Sequence, residues 1–470
     1  MNLNAVLARP SRRPNTLISL HRPARWWRLL VICALATLPA SAQTFTLLHS
    51  FEGNDGANPG FETLAQGRDG NLYGTTSAAG TMSDGTLFRI TPQGVLNPLS
   101  LDGTHGSAPL AGLVLCTDGR LRGTAELGGS SNQGVVFSLP PLSVAVNFDG
   151  SNGSEPAAPL LLGFDGNYYG TTVLGGDNNL GTMFKLSPSG TLTVLHSFAG
   201  TAGMPPTPFG LAFGQDHALY GVTSGGGSTN QGTIFRITTS GNFQTIYNFD
   251  GVHGAAPAGT LILLDDGNFY GTTLAGGNFT FGTVFRLDPA GGVTVLHSFD
   301  GSDGDGPSGG LIQASDGNLY GTTLGGGTQS LGTIFSMTAS GSFMVLHNFD
   351  LSDGGVPSGL MQHTNGKIYG TTEIGGSADR GTVYSLDMGL GPFVAFVVPY
   401  ARVGSGVQIL GTGLTGATAV TFNGVPATRF QILSDTAMGA VVPPGATSGP
   451  VQVNTSGGTL ISNVGLQILP

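Results

Sequence analysis

Four histidines recur in one setting. His49, His196, His297 and His347 each follow a leucine and precede Ser-Phe or Asn-Phe. Imidazoles repeated at one position would suit a metal, since neutral imidazole is a common ligand. The same slot, however, holds Leu99, Val146 and Tyr247 elsewhere. A site that accepts Leu, Val or Tyr reads as packing in a half-buried strand. The densest acidic run is Asp300-Gly301-Ser302-Asp303-Gly304-Asp305-Gly306. A calcium loop needs oxygen ligands at alternate positions on a fixed frame. Here Ser302 and Gly304 fall where the second and third ligands belong, so turn chemistry explains the run, and calcium stays an open question only there. Gly225-Gly226-Gly227 is no phosphate cradle, because neither a lysine nor a helix follows. Cys116 stands in a strand setting and reads as a small buried apolar group.

Tyrosines recur as well: Tyr73, Tyr169, Tyr220, Tyr270, Tyr320 and Tyr369. One per unit at a fixed strand position suits a core better than a sugar-stacking platform. Catalysis needs a unique constellation, so departures from the recurring pattern are the places to look. His217, His363, Glu126 and Glu373 are ionisable residues at positions most units do not share. Their spacing matches no known arrangement. No residue is therefore assigned as catalytic, cofactor-binding or metal-ligating, and no cofactor is expected.

The recurrence is itself the main signal. Tyr73-Gly74-Thr75-Thr76 returns at Tyr169, Tyr220, Tyr270, Tyr320 and Tyr369, with a worn copy at Arg122-Gly123-Thr124. The steps are 49, 47, 51, 50, 50 and 49 residues, which makes seven units. Each unit reads as four short strands. In the sixth, Asp316-Gly317-Asn318 turns between the first and second, since Gly and Asn accept positive φ. Gly325-Gly326-Gly327 and Ala339-Ser340-Gly341 make the later turns. Four antiparallel strands in roughly 40–50 residues is one propeller blade. The expected fold is all-β, a seven-bladed β-propeller over residues 43–388. Its ends are circularly shifted: Thr44 to Phe51 is a fourth strand with no unit before it, and the seventh unit stops after its third. The first strand is expected to complete the last sheet, hiding edges that would otherwise pair with other chains.

Residues 1–42 read as a secretory leader cleaved before Gln43. Six arginines (Arg9 to Arg28) precede an apolar run from Leu29 to Leu38 and the small triplet Ala40-Ser41-Ala42. That run is too short to span a bilayer, and no later segment nears ~18 apolar residues. Cys33 lies inside the apolar run, behind Ile32, and is not read as a lipid-anchoring cysteine. After cleavage 11 basic residues face 27 acidic ones, a formal net charge of −16. Such a surface argues against nucleic acid and anionic membranes. Trp26 and Trp27 leave with the leader, and Cys116 stays as a lone cysteine, so no internal disulfide is expected.

The pattern Tyr-Gly-Thr-Thr … Gly-Gly … Gly-Thr-x-Phe … Leu-His-Ser-Phe resembles the GloVer tandem repeat of bacterial "choice-of-anchor" extracellular proteins, over roughly Gln43 to Met388. The resemblance implies an exported protein and no established activity. The Asp-Gly-Asn-Leu-Tyr segments also faintly resemble streptogramin-lyase-like propellers, which place a His/Glu pair and a metal in the channel.

From about Phe393 the pattern changes to short alternating strands with Gly, Asn and Pro turns. Residues 389–470 are read as an immunoglobulin-like β-sandwich, and the run resembles the IPT/TIG family. It shows no hydrophobic tail with basic residues and no sortase-type motif, so a C-terminal anchor is not expected. The reading is an exported non-enzymatic protein, secreted or at the cell surface. A propeller face and an immunoglobulin-like arm would meet a glycan or protein partner, without nucleic acid or membrane insertion. The alternative is a propeller enzyme acting on a polysaccharide or small lactone, which requires His217, His363, Glu126 or Glu373 to converge.

Overall fold

Glycine recurs in the middle of every second strand because an aromatic ring lies over it. A Cβ on Gly321 would meet Phe335 Cζ at 2.5 Å and Leu311 Cδ2 at 3.0 Å. Gly321 and Phe335 are direct cross-strand partners, so the ring from strand three fills the space a side chain would need. This pairing recurs in each unit and buries Phe88, Phe137, Phe184, Phe235, Phe285, Phe335 and Tyr384. Burying each such ring contributes about 1.5–3 kcal/mol.

The computed structural model describes residues 43–59, 63–199 and 210–469. The expected leader lies outside the described residues. The described chain is all-β, without helices. Between Thr44 and Asp387 it forms seven antiparallel sheets of four or five strands. In repeat 6 the strands are Ile312–Gln313, Leu319–Thr323, Thr333–Met337 and Phe343–Asn348, paired in chain order. In the seventh sheet the outer strand is Thr44–Ser50, antiparallel to Thr382–Asp387, with Thr44 opposite Asp387 and Ser50 opposite Thr382. Its register shifts between Leu47 and His49. The same bulge occurs in repeat 3, between the pairs Met183–His196 and Phe184–Val194. The leading strand is thus a true copy of strand four.

Apolar clusters join each sheet to the next. Phe299 of repeat 5 packs with Phe335 of repeat 6, and Phe349 of repeat 6 with Tyr384 of repeat 7. Tyr369 and Val383 of repeat 7 share a cluster with Leu72 and Phe88 of repeat 1. The succession of packed sheets therefore returns to its start.

Beyond Asp387 two four-stranded sheets enclose a separate core of Val407, Ile409, Val420, Phe422, Met438, Val451 and Val453. A parallel pair, Tyr400–Arg402 with Gln467–Leu469, forms a further two-stranded sheet. These strands do not project as an arm. Leu410 and Ala437 pack into the cluster of Leu113, Leu115 and Leu121. Tyr400 Oη donates to Leu162 O at 2.9 Å, and Thr436 Oγ1 to Arg68 O at 2.6 Å. Gln408 bonds both Arg68 and the Thr117 carbonyl. The C-terminal strands are seated on the turns between strands one and two of repeats 7, 1, 2 and 3.

Candidate functional site

The recurring polar residues are consumed inside the fold. His49, His297 and His347 bring Nε2 to Asp55, Asp303 and Asp353 at 2.8, 2.8 and 2.9 Å. Three of the four imidazoles lie flat on the first aromatic of the next strand four. His196 stacks on Phe243 at 4.1 Å, His297 on Phe343 at 3.8 Å, and His347 on Phe45 at 4.0 Å. They are spread over separate repeats and act as packing between sheets. Burial lowers the pKa of His196.

The Asp300–Asp305 loop follows the same logic. Asp300 Oδ1 accepts from Ser302 N, Ser302 Oγ and Asp303 N at 2.9, 2.7 and 3.2 Å. Asp303 Oδ1 accepts from Asp300 N at 2.9 Å, while its other oxygen faces His297. The carboxylates close a turn, and repeat 7 repeats the geometry with Asp350, Ser352 and Asp353. Among the described residues no group of three or more His, Cys, Asp or Glu is arranged to hold a metal. In Gly225–Gly227 the turn is tied by side chains, with Gly226 N donating to Asn230 Oδ1 at 2.9 Å.

Five of the six tyrosines of the repeat share one task, whereas Tyr369 Oη accepts from Asn365 Nδ2 at 2.9 Å. Tyr73, Tyr169, Tyr270 and Tyr320 donate Oη to the aspartate four residues earlier at 2.8–2.9 Å, and Tyr220 does so at 3.3 Å. Burial and that carboxylate push Tyr73 and Tyr270 up to about 12. The Asp-x-x-x-Tyr spacing is visible in the sequence as the signal for this bond. Repeat 2 has Arg122 instead, its guanidinium 4.4 Å over the Tyr168 ring and 4.0 Å from Asp118. Cys116 is buried beside it, Sγ 3.7 Å from Val114 O, and burial raises the thiol pKa.

The four ionisable departures do not converge. His363 is buried in the turn of repeat 7, Nε2 donating to Gly70 O at 3.0 Å and Nδ1 accepting from Asn365 N at 3.0 Å. His217 lies in the turn of repeat 4 at φ +59°, and its ring meets the edge of Phe164 at 4.7 Å. Glu126 and Glu373 sit at the other ends of their second strands, where burial raises both carboxyls. Among the described residues no hydrogen bond or ion pair joins any two of the four.

One position that varies from repeat to repeat lies in the turn between strands one and two. The residue just before the turn's Asp or Asn is Arg68, Thr117, Phe164, Gln215, Asp265, Ser315 or Thr364. Arg68, Thr117, Phe164 and Thr364 hold the C-terminal strands: Phe164 meets the Tyr400 ring at 4.2 Å, and Thr364 Oγ1 lies 3.1 Å from Thr412 Oγ1. Where this seating ends, over repeats 3 to 6, a cavity of about 330 Å³ opens between the inner strands and Pro399, Tyr400 and Asn463. It lies at the low end of the ~300–1,000 Å³ typical of small-molecule sites. Asn463 Oδ1 is buried there without a hydrogen bond among the described residues. Larger grooves of about 550 and 500 Å³ are lined by Arg68, Asp69, Tyr73 and Arg89 and by Gln215, Asp216, Tyr220 and Arg236, with each aspartate–tyrosine pair already bonded. One of about 740 Å³ lies along Arg429 and Gln431 of the C-terminal strands. Sequence inspection alone missed the cavity beside Tyr400; the cue was variation within an otherwise constant turn.

Comparison with known proteins gives one family. The model of the Gloeobacter/Verrucomicrobia repeat matches residues 34–211 and 206–384. No curated protein matches. Similar solved structures include the extracellular domain of a putative hybrid two-component system from B. thetaiotaomicron, 12% identical, covering 91% of this chain and 58% of that one, TM-score 0.49. PorZ, an essential bacterial surface component of the type-IX secretion system of Porphyromonas gingivalis, is 14% identical over 90% of this chain and 61% of its own, TM-score 0.48. A putative gluconolactonase is 14% identical over 75% of this chain and 94% of its own, TM-score 0.41. The chain thus spans about three fifths of the first two structures' lengths.

Proposed function

The chain belongs to the Gloeobacter/Verrucomicrobia repeat family, and from that premise we propose an exported, non-enzymatic binding or structural module, secreted or held at the cell surface. Residues 1–42 form its signal peptide, 43–388 a seven-bladed β-propeller closed by the N-terminal strand, and 389–470 an immunoglobulin-like domain of IPT/TIG type. The propeller reading draws support from the cyclic run of inter-sheet clusters and from the pairing of Thr44–Ser50 with Thr382–Asp387. For the C-terminal domain, the order of strands is the argument. Ala395–Phe396, Gly406–Leu410, Ala437–Val441 and Arg429–Ile432 run as A-B-E-D, and Val425–Pro426, Ala419–Phe422, Val451–Thr455 and Gly458–Ile461 as C′-C-F-G.

One observation carries the functional reading. Most of the repeat's recurring polar groups are spent on internal bonds, while four of the seven variable residues in the turns between strands one and two hold the C-terminal domain. Scaffolds place recognition on such variable loops. The partner is a glycan or a protein outside the cytoplasm. The enzyme alternative is set aside, since its four candidate residues are spread over repeats 2, 4 and 7, with the two histidines and the two glutamates at opposite strand ends and no hydrogen bond or ion pair among them within the described residues.

Expression of the full chain in a bacterial host, followed by fractionation and N-terminal sequencing, tests this. The expected product starts at Gln43, lies outside the cytoplasm, and shows tyrosine-only emission, because both tryptophans precede residue 43. An intact leader on cytoplasmic protein, or turnover of lactones above background, overturns it.

A further inference from the structure

We infer that the cavity between repeats 3 to 6 and Tyr400 binds a small quaternary ammonium cation, a ligand beyond the glycan or protein partner of the surface-module reading. The carrying observation is where the repeat is broken. Among the seven residues that precede the turn's Asp or Asn, Phe164 is the only aromatic and Asp265 the only acid. Both line this cavity. At the second residue of strand one the other repeats hold Leu or Gln, while repeat 4 has Phe213, which lines it too. Tyr400 brings a third ring from the C-terminal strands. Phe164 meets Phe213 edge to face at 4.4 Å and Tyr400 at 4.2 Å, so the three half-buried rings form one cluster. The Asp265 carboxylate is exposed and has no hydrogen bond or ion pair among the described residues. Its neighbour Asp266 is committed to Asn268 N and Tyr270 Oη.

Ligand chemistry follows from rings beside a lone carboxylate. Aromatic rings attract a cation through their electron-rich faces, and the carboxylate adds charge attraction. Among the described residues no Lys, Arg or His lines the cavity; His217 touches Phe164 but is not part of the wall. An anion is therefore opposed by Asp265 with nothing to hold it. A sugar needs several hydrogen-bond partners, which a wall rich in rings and in aliphatic chains such as Leu162, Leu263 and Val464 does not offer. The Tyr400 hydroxyl is already committed to Leu162 O. A metal ion keeps its water unless several oxygens replace it, and among the described residues no group of three or more His, Cys, Asp or Glu is arranged to do so. A quaternary ammonium spreads its charge over methyl groups and has no N–H to satisfy. It suits this wall.

The test is calorimetry with ligand-observed saturation-transfer NMR on the purified protein. The probes are choline and tetramethylammonium, against the uncharged analogue of choline in which carbon replaces nitrogen. Both cations should bind, and the carbon analogue about tenfold more weakly. Asp265→Asn keeps the shape, removes the charge, and should weaken choline about threefold. Phe213→Leu should weaken it about fivefold. Leucine fills that position in repeats 2, 3 and 5, so the sheet accepts it, and circular dichroism confirms the β fold of each variant. Gln215→Ala, at the equivalent turn of repeat 4 but outside the wall, should leave binding unchanged. Cosedimentation with phosphatidylcholine vesicles, lost in Asp265→Asn, would identify the cation as a lipid headgroup; binding of choline without it identifies a free solute. Failure of both cations to bind, equal binding of the carbon analogue, undiminished binding in Asp265→Asn or Phe213→Leu, or an equal loss in Gln215→Ala overturns the assignment. Export and processing at Gln43 are read separately, so a failure here leaves the surface-module reading standing.

Discussion

Repeats 2 and 6 share one strand order and have different interiors. In repeat 6, Thr323 and Thr333 face each other across the sheet with hydroxyls 3.0 Å apart; Thr323 Oγ1 also donates to Gly325 O and accepts from Thr333 N. Five other repeats carry the same buried pair at 2.8–2.9 Å. Repeat 2 has Ala125 opposite Val135, both fully buried. Both partners changed together, which is the exchange a buried polar pair tolerates, since neither is left unsatisfied. The tyrosine–aspartate bond is also gone, with Arg122 in its place. What the two share is the Gly–aromatic contact, Gly123 under Phe137 and Gly321 under Phe335. The comparison teaches that packing of the ring on glycine sets the sheet, while the threonine pair can be exchanged as a complete set.

The strongest test strikes the shared element. Phe335→Ala and Phe137→Ala should each cost about 3–5 kcal/mol in urea unfolding. A much smaller loss in repeat 2 would break the equivalence. The next targets the pair: Thr323→Val should cost about 1–3 kcal/mol by stranding its partner's groups, and Thr323→Ala with Thr333→Val should recover most of that loss. A double variant no better than the single would show the hydroxyls to be irreplaceable. A smaller effect, of opposite sign, is expected for Arg122→Tyr. It removes a buried guanidinium whose Nε lacks a partner and restores the bond to Asp118, for a gain of about 0.5–2 kcal/mol.

The smallest effect concerns the seam between repeats 7 and 1, where His363 is held neutral. Burial lowers its pKa below the ordinary 6.5, despite the opposing hydrogen bonds. The unfolded chain therefore binds more protons just below pH 6.5, and stability should fall as pH drops through that value, by less than about 1.4 kcal/mol per pH unit. His363→Gln should flatten this part of the pH profile. An unchanged slope would place the acid sensitivity elsewhere, His196 being the other histidine lowered by burial.

Local pattern made much of this legible. The Asp-Gly-Asn turns, the Gly-Gly breaks and the ~50-residue step depend on a few adjacent residues, and the structure places strands and turns accordingly. The orphan fourth strand at Thr44 could be matched to the unfinished seventh unit by counting strands. The histidine slot read as packing, though its stacking on the next repeat's Phe and its bond to the aspartate six residues on were not foreseen. The turn residues were harder to read. Arg68 and Asp265 occupy one position of the repeat and look alike as solvated loop residues, yet one holds Gln408 and the other borders a cavity.

Sequence by itself determined the sevenfold recurrence, the four-strand unit and the shifted ends, because hydrophobic alternation and turn propensity act over a few residues and repeat visibly. Only the tertiary structure decided which variable turns the C-terminal strands cover and where the 330 Å³ space remains. Those contacts join residues hundreds of positions apart, such as Arg68 with Thr436 and Leu162 with Tyr400. Their geometry follows from how whole sheets pack, which no local pattern of side chains encodes.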